Sequence, residues 1–188
     1  AFIIAYAVSE SGLATRAAAF VLTGARGPRT LVHLVTIALV ATAFAVPATS
    51  GRAALTLPVF LVLARVLADR LALVRMLALL FPTVILLSAV ASLIGAGAHL
   101  ITSQLLTAAG HEGFDFATWM ILGLPLALVS SHLAAELVLW LFTDSAERAR
   151  PLRIGVDEFS AVGAGRVTGP PTVQQSRPAL LLVAMIVL

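Results

Sequence analysis

The sequence predicts an all-helical membrane protein with several spans, and three observations support this class. Of the 188 residues, 60% are hydrophobic and only 11% are charged, and the mean hydropathy is +1.05. Long apolar runs recur along the chain, as they do in proteins that cross a bilayer repeatedly. Two of these runs are interrupted by proline, glycine and hydroxyl residues, which predicts a re-entrant helical hairpin and a broken transmembrane helix.

Composition excludes several function classes. The chain has no cysteine, so disulfides and thiolate metal sites are ruled out. The isoelectric point is about 11.0, but the net charge is only +3 and no basic patch alternates with aromatic residues, so we do not predict nucleic-acid binding. Lysine is absent, which together with the excess of Ala, Leu and Val is typical of GC-rich bacterial genomes. Combined with the apolar runs, this predicts a multi-pass protein of the bacterial inner membrane.

The first 22 residues are predicted to contain the end of one span and an interfacial helix. Residues 1–8 are apolar, residues 10–12 interrupt them, and residues 13–22 have a helical apolar face. The sequence begins in one apolar run and stops in another, residues 178–188, which is too short to cross a bilayer. We therefore expect a piece of a longer permease.

Residues 30–67 are predicted to form a re-entrant hairpin whose tip is residues 47–52. Pro47 and Gly51 interrupt the helix, and lipid cannot satisfy the backbone groups that they expose. Arg52 is an arginine within apolar sequence, so it requires a partner, a cavity or an anion. The alternative is a kinked helix whose Arg52 extends to the membrane interface.

Two longer segments follow the hairpin. Residues 71–109 would be about 58 Å long as one helix, against a hydrocarbon core of about 30 Å. Pro82 and the small residues of 88–99 therefore predict a broken helix, although close helix packing is the alternative. Residues 116–142 are predicted to span the membrane, with Trp119 and Trp140 as interfacial anchors. Residues 143–177 are predicted to be a cytoplasmic linker before the next span, 178–188.

The arginines predict the orientation. Eleven of the twelve lie before the hairpin, in the polar stretch from Arg65 to Arg75 at its end, or beyond residue 142, and Arg52 alone lies within the membrane region. The positive-inside rule assigns those stretches to the cytoplasm. Both outer ends of the hairpin would then lie on one side, which favours a tip near mid-membrane.

His132 and Glu136 lie four residues apart on one face of the 116–142 helix. Such a pair can form a proton relay or part of a zinc site. Two ligands do not complete a metal site, so we favour a hydrogen-bonded contact between helices.

The order of these elements resembles the N-terminal repeat of the divalent-anion:sodium symporter (DASS) family of the ion transporter superfamily. Pro47-Ala-Thr-Ser-Gly-Arg52 is similar to that family's Pro-Ser-Asn-Thr-Ala-Arg hairpin tip, and residues 88–99 are similar to its Gly-Thr-Leu-Ile-Gly-Thr-Pro-Pro-Asn segment. Ser9-Glu-Ser-Gly-Leu13 resembles its Glu-Lys-Thr-Gly-Leu stretch, and Phe114 to Pro125 resembles the start of its next span.

The resemblance implies one half of an inverted-repeat transporter, in which the two breaks hold a sodium ion beside an anionic substrate. It places the sodium ligands at Ala48, Thr49, Ser50 and Gly95, and the anion at Thr49, Ser50 and Arg52. Thr49 replaces the asparagine of the Ser-Asn-Thr triplet, and Gly97-Ala-His99 replaces Pro-Pro-Asn. Sodium, proton and exchange coupling therefore stay open.

The function predicted is secondary transport of small anions such as dicarboxylates or sulfate by alternating access, and not enzyme catalysis. A small anion and the lipid bilayer are the expected partners, with no cofactor other than the coupling ion. The resemblance also implies a homodimer for the full-length protein. The alternatives are a sodium/proton or arsenite-type permease of the same superfamily, and a membrane subunit that does not transport.

Overall fold

The computed structural model describes residues 13–46 and 48–152. The predicted span end at residues 1–8, most of the linker and the last predicted span lie outside these residues. All regular secondary structure in the described residues is helical, which confirms the predicted class.

The hairpin region consists of two helices that follow a short first helix. Helix α1 is Leu13–Gly24, α2 is Pro28–Ala45, and α3 is Thr49–Val66. Helix α2 begins with a proline, whose missing N–H costs nothing at that position. Val46 and Ala48 are extended, so the chain leaves the helical conformation between α2 and α3. Each of the two hairpin helices has 18 residues, which is longer than the apolar runs of about 15 residues in the sequence.

The next segment is broken near its middle. Helix α4 (Leu71–Leu87) continues into two 3₁₀ turns, Ser88–Ala91 and Leu93–Gly95, and α5 (Gly97–Ala108) follows. Ser92 and Ala96 are extended, so each turn is separated from the next element by a non-helical residue. The break lies after Pro82, in the stretch of small residues.

The longest helix, α6, is Phe116–Phe142, and the short helix α7 is Ser145–Ala149. Asp115 caps α6, because its side chain accepts a hydrogen bond from the backbone N–H of Thr118 at 2.6 Å. This hydrogen bond holds the pKa of Asp115 below its ordinary value.

Helix α4 is at the centre of the bundle. It packs against α2, α3 and α6, while α1 packs against α2 and α3. Leu73, Met76, Leu77, Leu80 and Val84 of α4 are all fully buried. By contrast α6 exposes many large apolar side chains, as expected for a helix that faces lipid or further transmembrane segments.

The polar stretches with arginines meet at one end of the bundle. Arg70, between α3 and α4, forms a buried ion pair with Glu147 of α7 at 2.6 Å. The backbone N–H of Leu152 donates to the carbonyl of Arg26, just before α2, at 3.2 Å. Residues 143–152 are therefore docked on the bundle, and this part of the predicted linker is not a free connection. The three stretches lie together, as the predicted orientation requires.

The opposite end of the hairpin lies beside the middle of α6. Ala43 near the end of α2, Ala91 in the first 3₁₀ turn and Ala127 of α6 form a small buried cluster. Ala127 is about 22 Å along α6 from Phe142 and about 17 Å from Phe116. Three described segments are long and apolar enough to cross a membrane: Thr49–Val66, Leu71–Ala91 and Phe116–Phe142.

Candidate functional site

Arg52 is the polar centre of the region where the two breaks meet. It lies in the first turn of α3, four residues after the extended Ala48. The side chain is fully buried in an otherwise apolar region. A buried guanidinium requires many hydrogen-bond acceptors, since both its charge and its five N–H groups lose their water.

The structure supplies four acceptors from two different segments. On α2, Nε donates to Oγ1 of Thr42 and Nη2 donates to the carbonyl of Leu39, each at 2.9 Å. At the end of α4, Nη1 donates to the carbonyl of Ile85 at 2.9 Å, and Nη2 donates to Oγ of Ser88 at 2.5 Å. Arg52 therefore connects both legs of the hairpin to the broken helix.

All four partners are neutral, so they satisfy the donors without balancing the charge. The carbonyl of Ile85 is among the last carbonyls of α4, which lack partners within their own helix when the helix ends. In a membrane such a group is costly unless the protein provides a donor. Arg52 thus stabilises the break, a role that the sequence could not reveal because the acceptors are distant in the chain.

Trp119 provides a second donor to the break. Its indole Nε1 donates to the carbonyl of Val90 at 2.9 Å, and its ring contacts the imidazole of His99, with centroids 4.7 Å apart. The Nδ1 atom of His99 lies 3.1 Å from the carbonyl of Ser92. Trp119 is therefore a hydrogen-bonded part of the break, whereas its position near the start of α6 had suggested an interfacial anchor.

Two glycines allow the backbone to approach closely at the same level. A Cβ at Gly123 of α6 would overlap the carbonyl oxygen of Val90, and a Cβ at Gly95 would overlap that of Ala89. The first contact seats α6 on the 3₁₀ turn, and the second folds the two turns against each other. Both glycines are buried, so neither position has room for a side chain without a backbone shift.

The predicted tip residues are less enclosed than Arg52. Ala48 and Ser50 are exposed, and Thr49 is half-buried, at the start of α3. The contact between the two breaks is made at Ser88, by Arg52, while Gly95 lies against Ala89. The assignment of Ala48, Thr49, Ser50 and Gly95 to an ion, and of Thr49, Ser50 and Arg52 to an anion, stays a prediction.

An apolar groove runs between α3 and α4 close to Arg52. Its volume is about 190 Å³, and its wall includes Thr56, Phe60, Phe81 and Ile85. The wall is almost entirely apolar. An anion there would lose its hydration without gaining hydrogen bonds, so this groove does not suit an anionic substrate.

His132 and Glu136 both form hydrogen bonds to α2. His33 of α2 bonds to both, and Arg29 also bonds to Glu136. This is the contact between helices that the sequence favoured. Within residues 13–46 and 48–152, no group of three or more histidines or carboxylates is arranged to hold a metal ion.

Comparison with known families gives a match over the whole chain. Residues 1–188 match the family CitMHS, described as "Citrate transporter". It is a membrane permease family of the ion transporter superfamily, which confirms the broader part of the resemblance drawn from the sequence. Among curated proteins, no significant match to the chain is found.

Proposed function

The chain belongs to the citrate transporter family CitMHS, and we propose that it carries small anions of the citrate type across the bilayer by alternating access. The family is one of transporters and not of enzymes, and the apolar helices agree with a membrane location. Citrate is the first substrate to test, with dicarboxylates and sulfate as the wider class that the DASS resemblance implies.

The observation that supports this proposal is the position of the two breaks along the bundle axis. Ala43 and Ala91 meet Ala127 near the middle of α6, so the hairpin tip and the 3₁₀ turns lie at one height. If α6 spans the bilayer, this height is near the mid-plane. Binding sites of secondary transporters are formed at this depth by discontinuous helices.

The start of α3 suits an anion. Its first turn contains no acidic residue, and its N-cap Ala48 has no side chain that could cap the helix. The N–H groups of Thr49 and Ser50 and the positive end of the helix dipole therefore favour a negative ligand. The Arg52 charge adds to this field, because none of its described partners is negative. Thr49 and Ser50 contact the anion in this proposal.

Arg52 has a second role here, which is to fix the tip against the broken helix. Four of its N–H groups are already used, so at most one N–H on Nη1 remains for the anion. We therefore expect Arg52 to act on the anion mainly through its charge and through the position of Thr49 and Ser50. Sodium at Ala48, Thr49, Ser50 and Gly95 is the coupling site that the DASS resemblance supports.

Uptake by the full-length protein in proteoliposomes tests the proposal. Radiolabelled citrate, succinate, sulfate and phosphate are offered separately, with and without a sodium gradient. Accumulation of citrate or succinate supports the proposal, and a sodium requirement supports the sodium site. Arg52→Ala nearly abolishes uptake, while Arg52→Lys weakens it, because an ammonium has fewer donors in a different geometry. The proposal fails if none of the four anions is accumulated by well-folded protein.

A further inference from the structure

Four ionisable side chains form a continuous hydrogen-bonded chain between α2 and α6. Nδ1 of His33 lies 2.8 Å from Nδ1 of His132, and Nε2 of His33 lies 2.7 Å from Oε1 of Glu136. Nε of Arg29 donates to the same oxygen of Glu136 at 2.6 Å. We refer to His33, His132 and Glu136 as the relay, with Arg29 as its flanking cation.

The hydrogen bonds determine where the protons are in the neutral state of the two imidazoles. A carboxylate only accepts, so Nε2 of His33 carries the proton that is shared with Glu136. The Nδ1 atom of a neutral His33 is then an acceptor, and Nδ1 of His132 must donate to it. This leaves Nε2 of His132 without a proton and able to accept one.

We propose that the relay is a proton-binding site that holds α2 against α6 while it contains at most one extra proton. The first extra proton binds at Nε2 of His132 and breaks no hydrogen bond. A concerted shift can move charge along the relay: His132 passes its Nδ1 proton to His33, and His33 passes its Nε2 proton to Glu136. One proton enters at His132 and one is taken up by the Glu136 carboxylate, so each imidazole carries a single proton again.

A second proton on the imidazoles has the opposite effect. Both Nδ1 atoms would then carry hydrogen at a separation of 2.8 Å, where each needs an acceptor and neither provides one. The two rings would also be like charges in contact, with centroids 5.0 Å apart. The contact between the rings must open, and we expect α2 to move away from α6 at this end of the bundle as it does.

Apart from Glu136, no charged group among the described residues is hydrogen-bonded to the two imidazoles in place of this His33–His132 contact. Among the described residues, Arg29 is the charged group bonded to the relay, and it pairs with Glu136. The other charged residues on helices that pack against α2 and α6 are Arg16 of α1, Arg52 and Arg65 of α3, Arg75 of α4, and Glu147 and Arg148 of α7. Arg52 bonds to the break and Glu147 to Arg70, both away from the relay.

The ligand is a proton rather than a metal ion. The two Nδ1 atoms face each other at hydrogen-bond distance, which leaves no space for a metal between them. The relay is also close to one end of the bundle, because Arg29 is the second residue of α2 and His33 lies about one turn further along the helix. The His33 and Glu136 side chains are half-buried rather than enclosed, so protons can reach the relay from that end.

The proton site itself does not depend on the proposed function. Its consequence, that pH controls how the hairpin packs against α6, rests on the proposed function. The test does not require transport. The protein contains no native cysteine in this region, so Ile37→Cys and Val129→Cys, on exposed positions of α2 and α6 one turn from the relay, accept spin labels specifically. Their separation is measured in the full-length protein as the pH is lowered from about 8 to about 5, the range in which histidines titrate.

We expect the labels to move apart by about 1–2 Å at low pH, the size of typical helix shifts at interfaces. In His132→Gln the separation should not respond to pH, because one imidazole is missing. The control His111→Gln, in an exposed loop, should behave like the parent protein. A separation that is constant in the parent, or that still responds in His132→Gln, overturns the proposal.

If His132→Gln does not fold, His33→Gln replaces it in the distance measurement. Histidine-selective ¹⁵N NMR provides a second, independent measurement. We expect one protonated and one unprotonated Nδ1 near neutral pH, coupled through the shared hydrogen. Two imidazoles that titrate independently of each other contradict the relay. If none of the four anions is taken up while these NMR signals are present, the proposed function fails and the proton site stands.

Discussion

Arg52 of α3 and Ser88, the first residue of the 3₁₀ turn after α4, are joined by a hydrogen bond of 2.5 Å from Nη2 to Oγ. The two residues belong to different breaks: Arg52 lies in the first turn of α3, at the hairpin tip, and Ser88 begins the 3₁₀ turn after α4. Ser88 also donates to the carbonyl of Val84 at 2.5 Å, so its hydroxyl is fixed at both ends. The two breaks are therefore one structural unit.

We expect Arg52→Ala to lower the free energy of unfolding by about 2 kcal/mol or more, since the carbonyl of Ile85 loses its donor in a dry environment and a cavity is left. Arg52→Lys should lose less. Removing a buried charge that had no partner would raise the stability, and the four acceptors of Arg52 reverse that sign. Thermal unfolding in detergent measures this effect.

The matched control for Arg52 is Arg65→Ala, at an exposed position in the last turn of the same helix. Its effect should be within about 0.5 kcal/mol, as is usual for surface substitutions. Equal stability of Arg52→Ala and Arg65→Ala would mean that the buried hydrogen bonds contribute nothing net.

Trp119→Phe should destabilise the protein by about 1–3 kcal/mol, because the ring is retained but the carbonyl of Val90 loses its donor. Trp140→Phe is the control, since Trp140 is 67% exposed on the same helix. Chemical or thermal unfolding of both variants provides the comparison. If Trp119→Phe is no less stable than Trp140→Phe, the indole hydrogen bond is not needed to close the break.

Gly123→Ala should separate α6 from the 3₁₀ turn, because the new methyl group overlaps the carbonyl oxygen of Val90. We expect a loss of about 1–3 kcal/mol, typical of overpacking, together with reduced uptake. Gly97→Ala is the control, since a Cβ there meets nothing within 4 Å. Similar stability and uptake for the two variants would show that this close approach is not required.

Cysteine labelling of the full-length protein tests the orientation. Single cysteines near Arg26, Arg70 and Arg148 should react only from the cytoplasmic side, since these stretches meet at one end of the bundle. A cysteine near Glu112 should react only from outside. Reaction at Arg26 and Arg70 from opposite sides would exclude a re-entrant hairpin.

Asp115 makes the start of α6 sensitive to acid. Its pKa is lowered in the folded state by the hydrogen bond from Thr118, so its contribution to stability is complete above the pKa of the unfolded chain. The contribution is lost as the pH falls through the lower, folded pKa. Asp115→Asn retains a capping oxygen without titrating, and its unfolding temperature should vary less with pH below about 4. Parallel pH profiles for the two proteins would contradict this role.

The local sequence predicted the helices and their breaks but not the long-range contacts that stabilise the breaks. Pro47 and the small residues after Pro82 indicated where the helices break, because proline and glycine act on their own backbone. The donors that satisfy the helix break are Arg52, which bonds to residues 33 and 36 positions away, and Trp119, which bonds to a residue 29 positions away. Periodicity carries no information about such pairs.

The relay illustrates the same limit. His132 and Glu136 were visible as a pair on one helical face, whereas His33 and Arg29 were not connected with them by any local pattern. The structure brings the two helices together at this point. The docking of residues 143–152 was missed for a similar reason, since the ion pair between Arg70 and Glu147 joins residues that are 77 positions apart.

The contact between Trp119 and Val90 constrains how the protein is made. Ribosomes deliver the chain from its N-terminus, so the broken segment enters the membrane before the helix that carries its indole donor. During that interval the carbonyl of Val90 has to be satisfied by water, by the insertion machinery or by a temporary helical conformation. The break therefore acquires its final shape only after Phe116–Phe142 has been inserted beside it.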